Sequence, residues 1–262
     1  MINKRLIPVV IIKDGLVVQS YDFNKYLPIG KPKFIIEYLS EWESDEIIVI
    51  DIDASLQQRP VNKELIDEIS KIVTVPLTIG GGINSLEIAE LYFKNGADKI
   101  SINSLFLDNK FDLINKISEE YGSQSIVLSL DFFYKNDAHE YFLYDYRKKN
   151  ITTLDLDSTI NLISKNIQVG ELLINSINRD GSKMGYDINL FERITKKIVK
   201  PILALGGANT LNHFLEISTN NLITGLCAGN VFLHSEHSVE LFRNELNKKI
   251  PLFRPNNFFK YE

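Results

Sequence analysis

An α/β chain closed into a (β/α)8 barrel of two similar half-barrels is the fold the sequence predicts, on two observations. About eight short β-rich runs alternate with stretches of helical period, and segments of the first half return in the second at a displacement of roughly half the chain. The first run, 6–11, follows two basic residues as a signal peptide would. It ends at Lys13 and Asp14 with no small-residue cleavage site, so it reads as a strand. Further runs follow at 46–51, 75–79, 98–102, 125–131, 171–175, 201–205 and 222–228. Between them lie helical faces such as Leu65, Ile69 and Ile72; Leu86, Ala89 and Phe93; Phe111, Ile114 and Ile117; Phe191, Ile194 and Ile198; and Val239, Phe242 and Leu246. Strands apolar on both faces need cover on both, and so many βα units favour a closed barrel over an open doubly wound sheet.

The repeat is specific in its turns. GGINSL at 81–86 matches GGANTL at 206–211, ISINSLFL at 100–107 answers LCAGNVFL at 226–233, and VIDID at 49–53 answers LINSIN at 173–178. Residues 1–262 are therefore expected to form one domain, with half-barrels at about 1–122 and 123–250. The long irregular stretches, 13–32 and 132–153, directly follow strands, which on a barrel places them over the catalytic face. The Tyr-rich and charged segment 135–147 reads either as a small hairpin or as a solvated loop.

Composition bounds the function. A hydrophobic fraction of 44% with 24% charged residues is ordinary for a folded chain, and a net charge of −5 gives no basic surplus for nucleic acid. No apolar stretch approaches the ~20 residues that span a bilayer. The single cysteine, Cys227, cannot build a disulfide framework and sits in an apolar run, where it reads as a packed core thiol. A cytoplasmic setting with no membrane partner is expected. The histidines, His139, His213, His234 and His237, show no metal-ligand pattern, so neither metal nor cofactor is expected.

Chemistry concentrates at strand ends. Gly81-Gly82 and Gly206-Gly207 stand at equivalent turns, each followed one unit later by Asn103-Ser104 or Gly229-Asn230. Two such turns could cradle two separated phosphates on backbone amides, or serve only as tight strand-to-helix connections. Asp51, Asp131 and Asp180 end strands two, five and six, where carboxylates are candidates for acid–base work or for capping. The polar, glycine-containing segment 178–187 reads as a lid or site loop.

Taken in order, Lys4-Arg5, Lys13-Asp14-Gly15, Asp51-Ile52-Asp53-Ala54-Ser55, the triple glycine at 80–82, ADKISIN at 97–103, Gly122-Ser123-Gln124, 176–187 and Gly206-Gly207-Ala208 resemble the HisF family, the cyclase subunit of imidazole glycerol phosphate synthase. The resemblance implies a barrel that receives ammonia along its axis from a HisH-like glutaminase. It implies a gate ring of Arg5, Glu46, Lys99 and Glu171, an interface residue at Asp98, a catalytic Asp131 assisted by Asp180, and a small phosphorylated substrate held by Asp51, Gly81, Gly82, Asn103, Ser104, Gly206, Gly207, Gly229 and Asn230.

Three positions depart from that pattern. The family's first catalytic aspartate falls on Ile11, with Asp14 three residues on as a possible substitute. The family's basic residue after the KDG segment becomes Gln19, and the aspartate before Arg179 becomes Asn178. Losing one of two acid–base groups costs ~10²–10⁴-fold in an unchanged reaction, so a changed reaction is expected. The glycosyl-amidation (WbuZ-like) branch carries an apolar residue at that first position. Its members are thought to convert an N-acetyl group of a nucleotide sugar into an acetamidino group. The alternatives are the histidine-pathway cyclase acting on a phosphoribosyl ribonucleotide, and a non-catalytic barrel that binds and activates the glutaminase.

Overall fold

Eight parallel strands close on themselves in the computed structural model, which describes residues 3–254. Residues 1–2 and 255–262, the ends of the expected single domain, lie outside the described residues. Among the described residues the twelve strands are β1 Arg5–Lys13, β2 Leu16–Tyr21, β3 Lys25–Gly30, β4 Ile47–Asp51, β5 Leu77–Gly80, β6 Lys99–Ile102, β7 Ile126–Lys135, β8 Glu140–Asp145, β9 Asn150–Asp155, β10 Glu171–Ser176, β11 Ile202–Leu205 and β12 Ile223–Ala228. The barrel runs β1-β4-β5-β6-β7-β10-β11-β12 and returns to β1, every neighbouring pair parallel. Helices α1 Pro32–Glu41, α2 Ile52–Leu56, α3 Lys63–Ser70, α4 Leu86–Lys94, α5 Ser104–Leu107, α6 Phe111–Tyr121, α7 Leu156–Asn166, α8 Ile188–Thr195, α9 Leu211–Ser218 and α10 Ser238–Lys249 fill the connections. No helix among the described residues is long and apolar enough to cross a membrane.

The two stretches read as irregular are antiparallel hairpins. β2 pairs with the end of β1 and with β3, and β8 pairs with the end of β7 and with β9. β7 consequently runs past Asp131, because Phe132 to Lys135 find partners in Leu143 to Glu140. The segment 135–147 takes the hairpin alternative.

Strand alternation sorts side chains into two cores. Leu6 and Val10, Ile47 and Val49, Ile126 and Leu128, and Leu172 and Ile174 pack outward under the helices. Ile7, Val9, Ile48, Val127, Leu173, Leu203 and Cys227 form a second, interior cluster. Because side chains alternate with period two, that parity extends each interior row in both directions. Arg5, Glu46 and Glu171 lie at the N-terminal bottom, and Ile11, Asp131 and Asn175 at the C-terminal mouth. Gly225 belongs to this interior: a Cβ there would come within 2.6 Å of Leu203 and 2.7 Å of Ile7. An apolar plug thus separates a charged floor from a polar mouth.

Candidate functional site

Two cavities open at the mouth and share a wall of Val9, Ile11, Phe23, Asn175 and Leu205. The larger also contacts Gly81, Gly82, Asn103, Ser104, Ser129 and Asp131; the other contacts Asp180, Gly206, Gly207, Gly229 and Asn230. The shared wall is apolar at Ile11, where the family resemblance would put an acid. Asp14 does not replace it. Its carboxylate is largely exposed and paired with Lys13 at 3.2 Å, its amide donates to Asp53 at 2.6 Å, and it lines neither cavity.

Asp131 is held by two amides: Asn175 Nδ2 donates to one oxygen at 2.8 Å and Asn103 Nδ2 to the other at 3.3 Å. Withdrawal from bulk water pushes its carboxyl up to about 6; the Asn175 bond opposes the shift and the charge of Asp180 adds to it. A carboxyl poised there can both take and return a proton near neutrality. Asp180 is also raised, first by burial, while hydrogen bonds from Ser20 and the Phe23 amide oppose. Those two bonds, both 2.7 Å and both to Oδ2, tie the β2–β3 hairpin to the segment after β10.

The glycine turns are equivalent in conformation. Gly81 and Gly206 have φ of 115° and 110°, and Gly82 and Gly207 have 66° and 82°. At Gly82 a Cβ would stand 1.9 Å from the Arg59 carbonyl oxygen, and at Gly207 2.4 Å from that of Gly185. Close backbone approach therefore requires these two glycines whatever ligand they meet. The Gly82 amide is engaged by the Ser55 hydroxyl at 3.0 Å. Among the expected phosphate contacts, Ser104 lines the larger cavity, whereas the Asn103 amide turns to Asp131 and the Ser129 carbonyl. The Asn230 side chain clamps Ser20, giving to its carbonyl at 2.7 Å and accepting from its amide at 3.2 Å.

Asp51, expected among the substrate contacts, has both carboxylate oxygens committed. One accepts from the Asp53 and Ala54 amides at the start of α2, and the other pairs with Arg59 at 2.8 Å. Its side chain holds the turn. Residue types alone did not single out Asn175, Ser20, Ser55, Phe23 or the hairpin residues Tyr146 and Arg147, all of which reach the cavities or their carboxylates. Asn175 was within reach of a strand-parity argument. Phe23 was not, since its position depends on edge contacts with Tyr144 and Tyr146 from the second hairpin, at 6.0 and 5.7 Å.

At the opposite end, the four expected gate residues form one closed ring. Glu46 accepts from Arg5 at 2.8 Å and from Lys99 at 2.9 Å; Glu171 accepts from Lys99 at 2.8 Å and also from Arg5. Thr78 donates to Glu46 at 2.8 Å, and Arg5 donates to Thr224 at 3.1 Å. Burial works against the charge of Arg5, but its bond to Glu171 and the two carboxylates keep its pKa above the ordinary value. Glu171 is held low by Arg5 and Lys99 despite burial. Asp98, next in sequence to the ring, is exposed at the same end and caps the Leu77 amide at 2.8 Å.

Comparison with known proteins agrees with this architecture. The family described as "Histidine biosynthesis protein" matches residues 5–238. A Vibrio vulnificus protein named "Putative imidazole glycerol phosphate synthase subunit hisF2" is 37% identical over 262 residues, spanning 100% of this chain and 95% of its own. Proteins named imidazole glycerol phosphate synthase subunit HisF are 37% identical over 217 residues in Sulfolobus acidocaldarius (83% of this chain, 86% of the relative) and 32% over 249 in Pelodictyon phaeoclathratiforme (95% and 98%).

Proposed function

The chain belongs to the HisF family of histidine biosynthesis proteins, and from that membership we propose that it is the synthase subunit of a glutamine amidotransferase pair. In this reading a HisH-like glutaminase docks on the N-terminal face around Asp98, and its ammonia enters through the ring of Arg5, Glu46, Lys99 and Glu171. The acceptor is an N-acetylated nucleotide sugar, and the product an acetamidino group in surface-polysaccharide biosynthesis. The single-domain organisation in two half-barrels, about 1–122 and 123–250, belongs to the same reading.

The observation that carries it is Ile11 on the wall common to both cavities. An aliphatic side chain neither gives nor takes a proton, so a reaction that needs carboxylates from both β1 and β7 loses one of them. Amidation needs less. Ammonia adds to the acetamido carbon and the carbonyl oxygen leaves as water, with one group passing protons between them. Asp131, poised at about 6, is that group, and Asp180 assists by its charge and by holding the hairpin over the mouth. Phe23, Tyr146 and Arg147 on the larger cavity supply planar faces suited to a nucleobase. The turns at Gly81-Gly82 and Gly206-Gly207, with Ser104 and Gly229, face the phosphates.

A second reading, the cyclase subunit of imidazole glycerol phosphate synthase, is favoured by the names of the relatives and by the two glycine turns. Turnover of the histidine-pathway ribonucleotide with ammonium salt separates the two when wild type, Ile11→Asp and an authentic cyclase are run together. Amidation predicts an active control and an inactive wild type. Wild-type turnover near the control's would restore the cyclase.

A further inference from the structure

Gln19, on β2, is buried yet carries no charge, and both ends of its amide are engaged. Tyr21 donates its hydroxyl to Gln19 Oε1 at 3.1 Å, and Gln19 Nε2 lies 3.2 Å from His234 Nδ1. An amide nitrogen offers only hydrogens, so His234 Nδ1 is the acceptor. The proton of the neutral ring then sits on Nε2, because the bond made by one imidazole nitrogen fixes the state of the other. Partial withdrawal from water first, and the charge of Lys183 second, hold this imidazole below its ordinary pKa and favour the neutral ring, although the residue keeps an exposed edge. The ring lines the same cavity as Gly206, Gly207 and Gly229.

We propose that His234, locked by Gln19 as the Nε2–H tautomer, is a ligand-binding residue that donates to a singly charged phosphate oxygen at the second glycine turn. Gln19 is its positioning residue. The charge balance argues for a single negative charge. Among the described residues the cavity offers one exposed cation, Lys183, against the carboxylate of Asp180, and a neutral imidazole adds a directed hydrogen bond without adding charge. A terminal phosphate monoester, doubly charged near neutrality, would call for fixed cations of the arginine or lysine kind. Each phosphate of a diphosphate bridge carries one charge and fits. This rests on reading the mouth as a nucleotide-sugar site, and it concerns binding alone.

The test is long-range 1H–15N spectroscopy of the full chain labelled at histidine, with His234 assigned through His234→Phe. The probes are UDP-N-acetylglucosamine and inorganic phosphate at equal concentration. The expected result is an Nε2–H tautomer in the free chain, lost in Gln19→Leu. The nucleotide sugar should move the Nε2 resonance well beyond inorganic phosphate, and both variants should weaken its binding about fivefold to tenfold, as loss of one hydrogen bond does. An Nδ1–H tautomer in the free wild type overturns the lock, and needs no variant to fold. A resonance unmoved by the nucleotide sugar overturns the ligand contact, and an equal response to inorganic phosphate overturns the selection for a bridge. Amidation is read in a separate assay: its absence beside a shifted Nε2 would sink the proposed function alone, and amidation beside an unmoved Nε2 would sink this inference alone.

Discussion

Replacing Glu46 by glutamine tests the charged floor. The Glu46 side chain is 2% exposed and receives three donors, Arg5 at 2.8 Å, Lys99 at 2.9 Å and Thr78 at 2.8 Å. Glutamine has nearly the same shape, so packing is preserved. It keeps an acceptor for Thr78 but turns an NH₂ toward two cations, leaving Arg5 and Lys99 to share Glu171. Breaking a buried pair from one side costs about 3–5 kcal/mol. For a chain of this length that lowers Tm by roughly 6–20 °C. Differential scanning fluorimetry of Glu46→Gln, Lys99→Met and the double variant measures it. Since the double variant removes one charge of each sign, its cost should fall short of the sum of the single costs by about 1–3 kcal/mol. A Glu46→Gln chain melting with the wild type, or strictly additive costs, would show that the ring is solvated and refute the reasoning. In the assembled pair, the same substitution should depress glutamine-driven turnover more than turnover with added ammonium.

Asp131 carries a pH signature. Its folded pKa, about 6, lies above the ordinary 3.8, so the folded chain binds the extra proton between those values and this group's contribution to stability falls as pH rises through that window. Asp131→Asn should therefore be more stable than wild type at pH 8 by about 1–2 kcal/mol, the relief of the shift less one lost hydrogen bond, while turnover drops ~10²–10⁴-fold; urea melts at pH 4.5 and 8 show whether the gain vanishes in acid, as it must. Gly82→Ala puts a methyl 1.9 Å from the Arg59 carbonyl oxygen in a backbone of positive φ, which should cost about 2–4 kcal/mol; melting within 2 °C of the wild type, by roughly the conversion used above, would mean that the turn relaxes freely. Cys227, fully buried with its thiol pKa pushed well up by burial, should resist a thiol-specific disulfide reagent in the native chain and react on unfolding in guanidinium; rapid native labelling would contradict the closed interior.

Much of the barrel was legible because its signals are local. Each expected strand met an observed one to within a few residues, since a run such as 46–51 is apolar on both faces whatever surrounds it. The four ring residues were named through a family pattern and then found bonded to one another. The hairpins were harder to read. Residues 16–30 and 140–155 become strands by pairing with the ends of β1 and β7, which composition does not announce. Commitment of polar groups was not legible either. For Asp51 and Asp180 residue type left acid–base work and capping both open, and Asn230 was expected on a phosphate; each spends hydrogen bonds on a cap or on a hairpin. Residue type gives the number of lone pairs and hydrogens; only the fold says which neighbour takes them.

The central claim is that Ile11 marks a change from cyclisation to amidation. Its most direct test is mass spectrometry of a panel of N-acetylated nucleotide sugars incubated with the purified chain and ¹⁵N-ammonium, with and without ATP, beside Asp131→Asn. The account predicts one sugar in which an acetamido oxygen is replaced by ¹⁵NH, with release of water and dependence on Asp131. Unchanged sugars throughout, while the wild-type chain cyclises the histidine-pathway ribonucleotide, would contradict it.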